Sequence, residues 1–172
     1  MNWVLLLALT VNLNLYFLKD SPNLLVRIVP AQNVDRVVLY YSFSTEKWDS
    51  VDTQSFTTHF DAVIVPPETT TIVGFYFKCN DQIDDNKGLF YLYEVKRSPR
   101  MILPFSLDYL ETILKQARKK ILSQTHIDEA ITLIDYAEKT LKVLPYKKGG
   151  EQEIKFNLLS SEVNELKVLV GK

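Results

Sequence analysis

A single cysteine in 172 residues excludes an internal disulfide. Cys79 falls on the inward face of an apolar strand, where it reads as a small core residue. Glycine is scarce too. Five residues, of which Gly149-Gly150 is the only adjacent pair, cannot build a phosphate-cradling loop of the known type. The two histidines, His59 and His126, have no second histidine or cysteine at metal-ligand spacing, so neither points to a zinc or catalytic centre. No sign of charge dominates: 20 basic and 21 acidic residues leave a net charge of −1, which argues against nucleic acid or an anionic membrane as a partner. No membrane span is expected either, since Asn12 and Asn14 interrupt the first apolar run before about 20 apolar residues accumulate. Trp3 to Thr10 is as apolar as the core of a signal peptide but has no Lys or Arg ahead of it and no small-x-small cleavage site. The stretch therefore leads into a first strand, and a poor signal peptide favours the cytoplasm over secretion.

What is present is a folded chain, with 47% hydrophobic and 12% aromatic residues and enough length for one core or for a core plus a small appended unit. Alternation of period two marks strands at residues 11–17, 24–29, 36–43, 56–65, 72–79 and 89–96, separated by turn residues or proline. The central one is 72–79, with Val73, Phe75, Phe77 and Cys79 on one face. Phe56, Thr58, Phe60, Ala62 and Ile64 share a face in the fourth, and Leu89, Tyr91, Tyr93 and Val95 in the last.

The period changes after Arg97-Ser-Pro-Arg100. Ser106 can cap a helix whose Leu107, Leu110, Leu114, Ala117 and Ile121 form one apolar face. Thr125 can cap a second, with Ile127, Ala130, Ile134, Ala137, Leu141 and Leu144 on one face and Pro145 at its end. The short Ser123-Gln124 join makes the two a helical hairpin. Residues 158–170 read as a third helix, either alone or preceded by a strand at 154–159. The expected fold class is α+β: an antiparallel β-sandwich over 1–97, then a helical segment over 98–172.

No nucleophile, base and orienting group can be named, so no enzyme and no cofactor are implied. The polar loop from Asn80 to Gly88 holds three aspartates and two asparagines, but misses the spacing and closing glutamate of a calcium loop and reads as a hairpin turn. Tyr40, Tyr76 and Trp48 stand off the inward faces. They either pack as cover for the core or offer flat rings to a sugar.

Arg36-Val-Val-Leu-Tyr-Tyr-Ser-Phe-Ser-Thr-Glu-Lys-Trp48, Phe60-Asp-Ala-Val-Ile-Val-Pro66, Val73-Gly-Phe-Tyr-Phe77 and Asp84-Asp-Asn-Lys-Gly88 together resemble the immunoglobulin-like sandwiches attached to starch-degrading enzymes, over residues 24 to 96. That resemblance implies an α-glucan site in which Trp48 stacks on a glucose ring and Asp85 and Asn86 bind its hydroxyls. Ile83 stands near the place where such modules often carry a second stacking tryptophan. The helices favour a different role. Amphipathic helices with apolar surface to spare dock on a protein partner or on a second copy, and Tyr136, Leu141 and Val143 are candidates for that surface. The leading expectation is a non-enzymatic interaction protein, with glycan binding as the alternative. It carries a corollary: a chain cut after Lys96 should remain a folded sandwich that has lost self-association.

Overall fold

The computed structural model describes residues 11–44 and 47–171; the question of a leader over Trp3 to Thr10 lies outside them. Ten strands come first: β1 Val11–Phe17, β2 Leu24–Pro30, β3 Val37–Ser42, β4 Asp49–Asp52, β5 Gln54–Ser55, β6 Phe60–Ile64, β7 Ile72–Cys79, β8 Gln82–Asp84, β9 Tyr91–Arg97 and β10 Arg100–Phe105. Three helices follow, α1 Leu107–Leu122, α2 Ile127–Val143 and α3 Glu151–Leu169. One sheet has the order β1-β2-β6-β5 and the other β10-β9-β7-β3-β4, with β8 paired to β7. Every pairing is antiparallel. The fold is thus α+β, with strands first and helices last.

The pleat explains the first core layer. Val26, Ile28, Ala62 and Ile64 from the smaller sheet meet Leu39, Val73, Phe75 and Phe77 from the larger one, all buried. Cys79 lies in the same layer at 1% exposure, and burial pushes its thiol up to about 11, which keeps it protonated and inert. Phe77→Ala should cost about 3–5 kcal/mol, read as a fall in the urea midpoint. A loss below about 1 kcal/mol would show that β7 is not central.

A second layer lies on the other face of the larger sheet. Ile72, Phe90, Leu92 and Phe105 pack there against Leu110, Leu114, Ile134, Leu141 and Leu166 of the helices. The molecule therefore has three layers, and β7 is covered on both sides. Gly74 shows how tightly the helical segment seats: a Cβ there would lie 3.1 Å from Pro145 Cβ and 3.2 Å from the Trp48 ring.

Several expectations need correction. The break drawn at 97/98 falls inside a hairpin, because β10 pairs along its whole length with β9, from Arg100 opposite Arg97 to Phe105 opposite Leu92. Residues 56–59 are not strand: Phe56 is exposed and its ring stacks on His59 at 4.8 Å. Leu89 leaves the face it was expected to share with Tyr91, since Phe90 at φ 57° breaks the alternation. Thr125 does not cap α2. His126 takes that position at φ 51° with no side-chain cap, while the Thr125 hydroxyl lies 2.7 Å from that of Ser123. Ser106 does cap α1, accepting from the Tyr109 N–H at 3.3 Å. The strand considered at 154–159 is helix throughout.

Among the described residues two side chains hold buried polar atoms without a partner, Arg97 at Nε and Gln152 at both amide atoms. Gln152, in the first turn of α3, is 0% exposed, and neither its Oε1 nor its Nε2 meets a hydrogen-bonding group among the described residues. Gln152→Met keeps the volume and removes the uncompensated amide. It should stabilise the protein by about 1–2 kcal/mol in urea unfolding, and a loss of stability would show the amide to be satisfied.

Candidate docking surface

Trp48, Asp85 and Asn86, the residues of the expected sugar site, lie near one another through Phe90. The Trp48 ring is half-buried between Tyr76 at 5.1 Å and Phe90 at 4.8 Å, and its Nε1 donates to the Tyr146 carbonyl at 3.3 Å. Tyr76 itself stacks on Tyr40 at 4.5 Å with 6° between the planes. These rings are the seam between the larger sheet and the segment after α2, so they cover core. Asp85 Oδ1 accepts from the Gly88 N–H at 2.9 Å, and Asn86 Nδ2 donates to the Phe90 carbonyl at 3.0 Å. Both side chains hold the loop's left-handed residues Asn86 and Lys87 in a turn. Ile83 is 62% exposed on β8.

The helical candidates divide. Leu141 is buried at 4% in the core under the helices, so it is not a surface residue. Tyr136 is half-buried against that core, and Val143 lines a shallow crevice with Thr69, Thr71 and Lys142.

His59 has neighbours of catalytic type without the arrangement. Its Nδ1 is 3.1 Å from the Thr58 hydroxyl and its Nε2 is 3.6 Å from Asp61. Asp61, however, is held by both ends of the Arg27 guanidinium at 2.9 and 2.8 Å, a cross-strand pair that pulls its carboxyl below the usual range. His126 Nδ1 lies 3.0 Å from Glu129 at the start of α2. Among the described residues no cluster of three or more metal-ligating side chains occurs.

The surface that sequence reasoning missed lies between α1 and α3. At 3.6 residues per turn, the buried Leu159, Val163 and Leu166 fall on one side of α3. Ile154 and Val168 fall opposite them and Leu158 and Leu169 on the adjoining flank, 65%, 75%, 66% and 52% exposed, the two pairs being separated by Ser161, Glu162 and Glu165. Helix α3 is apolar on two faces, and the core covers only one of them. Beside the outer stripe runs an open groove of about 830 Å³, bounded by Leu89 at its foot and by Ile154, Leu158 and Leu159 along α3. Charged residues complete it: Glu111 and Arg118 from α1, and Glu151, Lys155, Glu162 and Glu165 from α3.

Ion pairs across this groove fix the two helices. Lys155 binds Asp108 and lies 3.8 Å from Glu111, while Arg118 reaches Glu162 at 3.4 Å and Glu165 at 3.0 Å. The order of these pairs shows that α1 and α3 run in the same direction. Arg118 holds the Glu165 carboxyl below the usual range, and Lys115, 2.5 Å from Glu111, does the same for that group. A spacing of four between Ile154 and Leu158, out of phase with 159, 163 and 166, is the signal that could have revealed the stripe.

Comparison with protein-family models, with curated proteins and with solved structures finds no match.

Proposed function

We propose that this protein is a non-catalytic interaction module that docks another protein chain on the outer side of its helical layer, along α3 and the α1–α3 groove. One observation carries this reading: Ile154 and Leu158 stand 65% and 66% exposed one turn apart on α3, beside the groove, on a helix whose inner face already fills the core, and Val168 and Leu169 stand exposed about three turns further along. Burying such a stripe recovers about 25 cal/mol per Å² of apolar area, so contact with a partner offsets the cost of its exposure. The sheet part supports the reading as a scaffold. Its two antiparallel sheets, β1-β2-β6-β5 and β10-β9-β7-β3-β4, pack face to face and give the helical layer a rigid body to stand on.

A photo-crosslinker placed at Ser161, an exposed position lining the groove beside the stripe, tests it. In cells, the expected result is a discrete intermolecular adduct that is lost when Ile154→Asp and Leu158→Asp are introduced together. Both positions are exposed, so the double variant should keep its stability within about 1 kcal/mol. Adducts confined to the chain itself, or intermolecular adducts indifferent to the two substitutions, would contradict the proposal.

A further inference from the structure

We infer that the occupant of the α1–α3 groove is a basic amphipathic helix of a different protein, an inference that rests on the docking role proposed above. Shape gives the first argument. The groove lies between two helices that run side by side, and a third helix seats in such a furrow by packing its ridges into the groove of the pair. From Glu151 to Glu165 the α3 wall rises about 21 Å, the length of a helix of about 14 residues. A strand would find no free backbone to pair with, because the walls are helices whose amides and carbonyls bond within their own turns.

Charge gives the second argument. Four carboxylates line the groove against two cations; Arg118 is shared by Glu162 and Glu165, and Lys155 by Asp108 and Glu111, which also takes Lys115, so the lining with its paired neighbours keeps an excess of carboxylates, with Glu151 outside these pairs. The unbalanced charge facing an incoming chain is negative. The groove's apolar lining is Leu89, Ile154, Leu158 and Leu159. Leucine-type side chains on one side of a helix and lysine or arginine on its flanks match that pattern. A second copy of this chain does not. A symmetric contact between two such grooves would set two net-negative linings against each other, and like charges facing each other across an interface cost affinity. An anionic lipid surface is repelled for the same reason.

The test uses the purified full chain and a fluorescein-labelled 15-residue peptide of leucine and lysine, with leucines at spacings of three and four. Two comparators serve, a shuffled peptide of the same composition and a version with glutamate in place of lysine. Anisotropy titration should give saturable binding of the leucine–lysine helix at least tenfold tighter than either comparator. Ile154→Ala with Leu158→Ala should weaken it at least tenfold, and so should Glu151→Lys with Ser161→Lys, two groove positions outside the inter-helix ion pairs, which should also flatten its dependence on salt. Circular dichroism of these surface variants should match that of the parent. Equal binding of the shuffled peptide, preference for the glutamate version, or a Ser161 adduct that maps to a second copy of the chain would overturn the inference. Absence of saturable peptide binding while Ser161 still crosslinks a partner would overturn the chemistry assigned to the occupant and leave the docking role standing; absence of both would remove the two together.

Discussion

A chain ended after Lys96 should give no folded sandwich. Such a cut removes β10, which pairs with β9 over six residues, and leaves β9 as a raw edge. It also strips the helical layer from the larger sheet, baring Ile72, Phe90 and Leu92 together with the Trp48–Tyr76 seam. Sheet faces of that apolarity associate when exposed, so expression should yield aggregate or a species without cooperative unfolding. The expectation drawn from periodicity alone, a stable sandwich with a detachable tail, differs because period shows which residues of a strand point away from one core. It cannot show that a second core waits on the other side. A soluble fragment of 1–96 with a sharp urea transition would contradict the three-layer arrangement.

Leu141→Asp is the second large effect. The side chain sits at 4% exposure in an apolar cluster with Leu144, Ile134 and the sheet residues. Removing a buried leucine costs about 2–5 kcal/mol, and an unpaired charge in its place adds several more before the group protonates or the helix shifts. Against a total stability of about 5–15 kcal/mol, the variant should be largely unfolded at 25 °C. Leu158→Asp on the outer stripe is the matched control, and its urea midpoint should barely move. The two substitutions separate a residue that builds the fold from one that is exposed for contact. Equal effects would mean that the assignment of the two faces of α2 and α3 is wrong.

Where one element buries one face, the residues announce it. Alternation located β1, β2, β3, β7 and most of β9, and spacings of three and four located α1 and α2 with their buried sides. The elements that were missed have physical reasons for their silence. Strand β4, Asp-Ser-Val-Asp, is an edge strand held by backbone pairing to β3, with only Val51 partly covered, so it has no apolar alternation to read. Strand β10 contains Pro104, which is tolerated because the strand lies at the margin of its sheet, whereas in sequence a proline demotes a strand. The start of α3 misleads for the most informative reason. Ile154, Phe156 and Leu158 alternate as a strand would, because one of the helix's two apolar sides supplies 154 and 158 while the other supplies 156. The ambiguity in period and the exposed stripe are one fact seen twice.

The residues of the expected sugar site show another limit of local patterns. Trp48, Tyr40 and Tyr76 were correctly placed off the inner face, but what covers that face comes from Pro145 and Tyr146, nearly a hundred residues after Trp48. No local pattern can show a lid so distant in the chain. Tyr136, likewise, is spent against the core of the helical layer rather than added to the outer stripe.

That the sheet and helices share one body is the claim from which the docking surface follows, since only then is α3's outer face the apolar surface left over. Urea unfolding of a Trp3→Phe variant, followed at once by circular dichroism at 222 nm for the helices and by the fluorescence of Trp48 at the seam, tests it most directly. A shared core predicts coincident transitions with one midpoint and one slope. Loss of helix at a lower urea concentration than the change in Trp48 would contradict it.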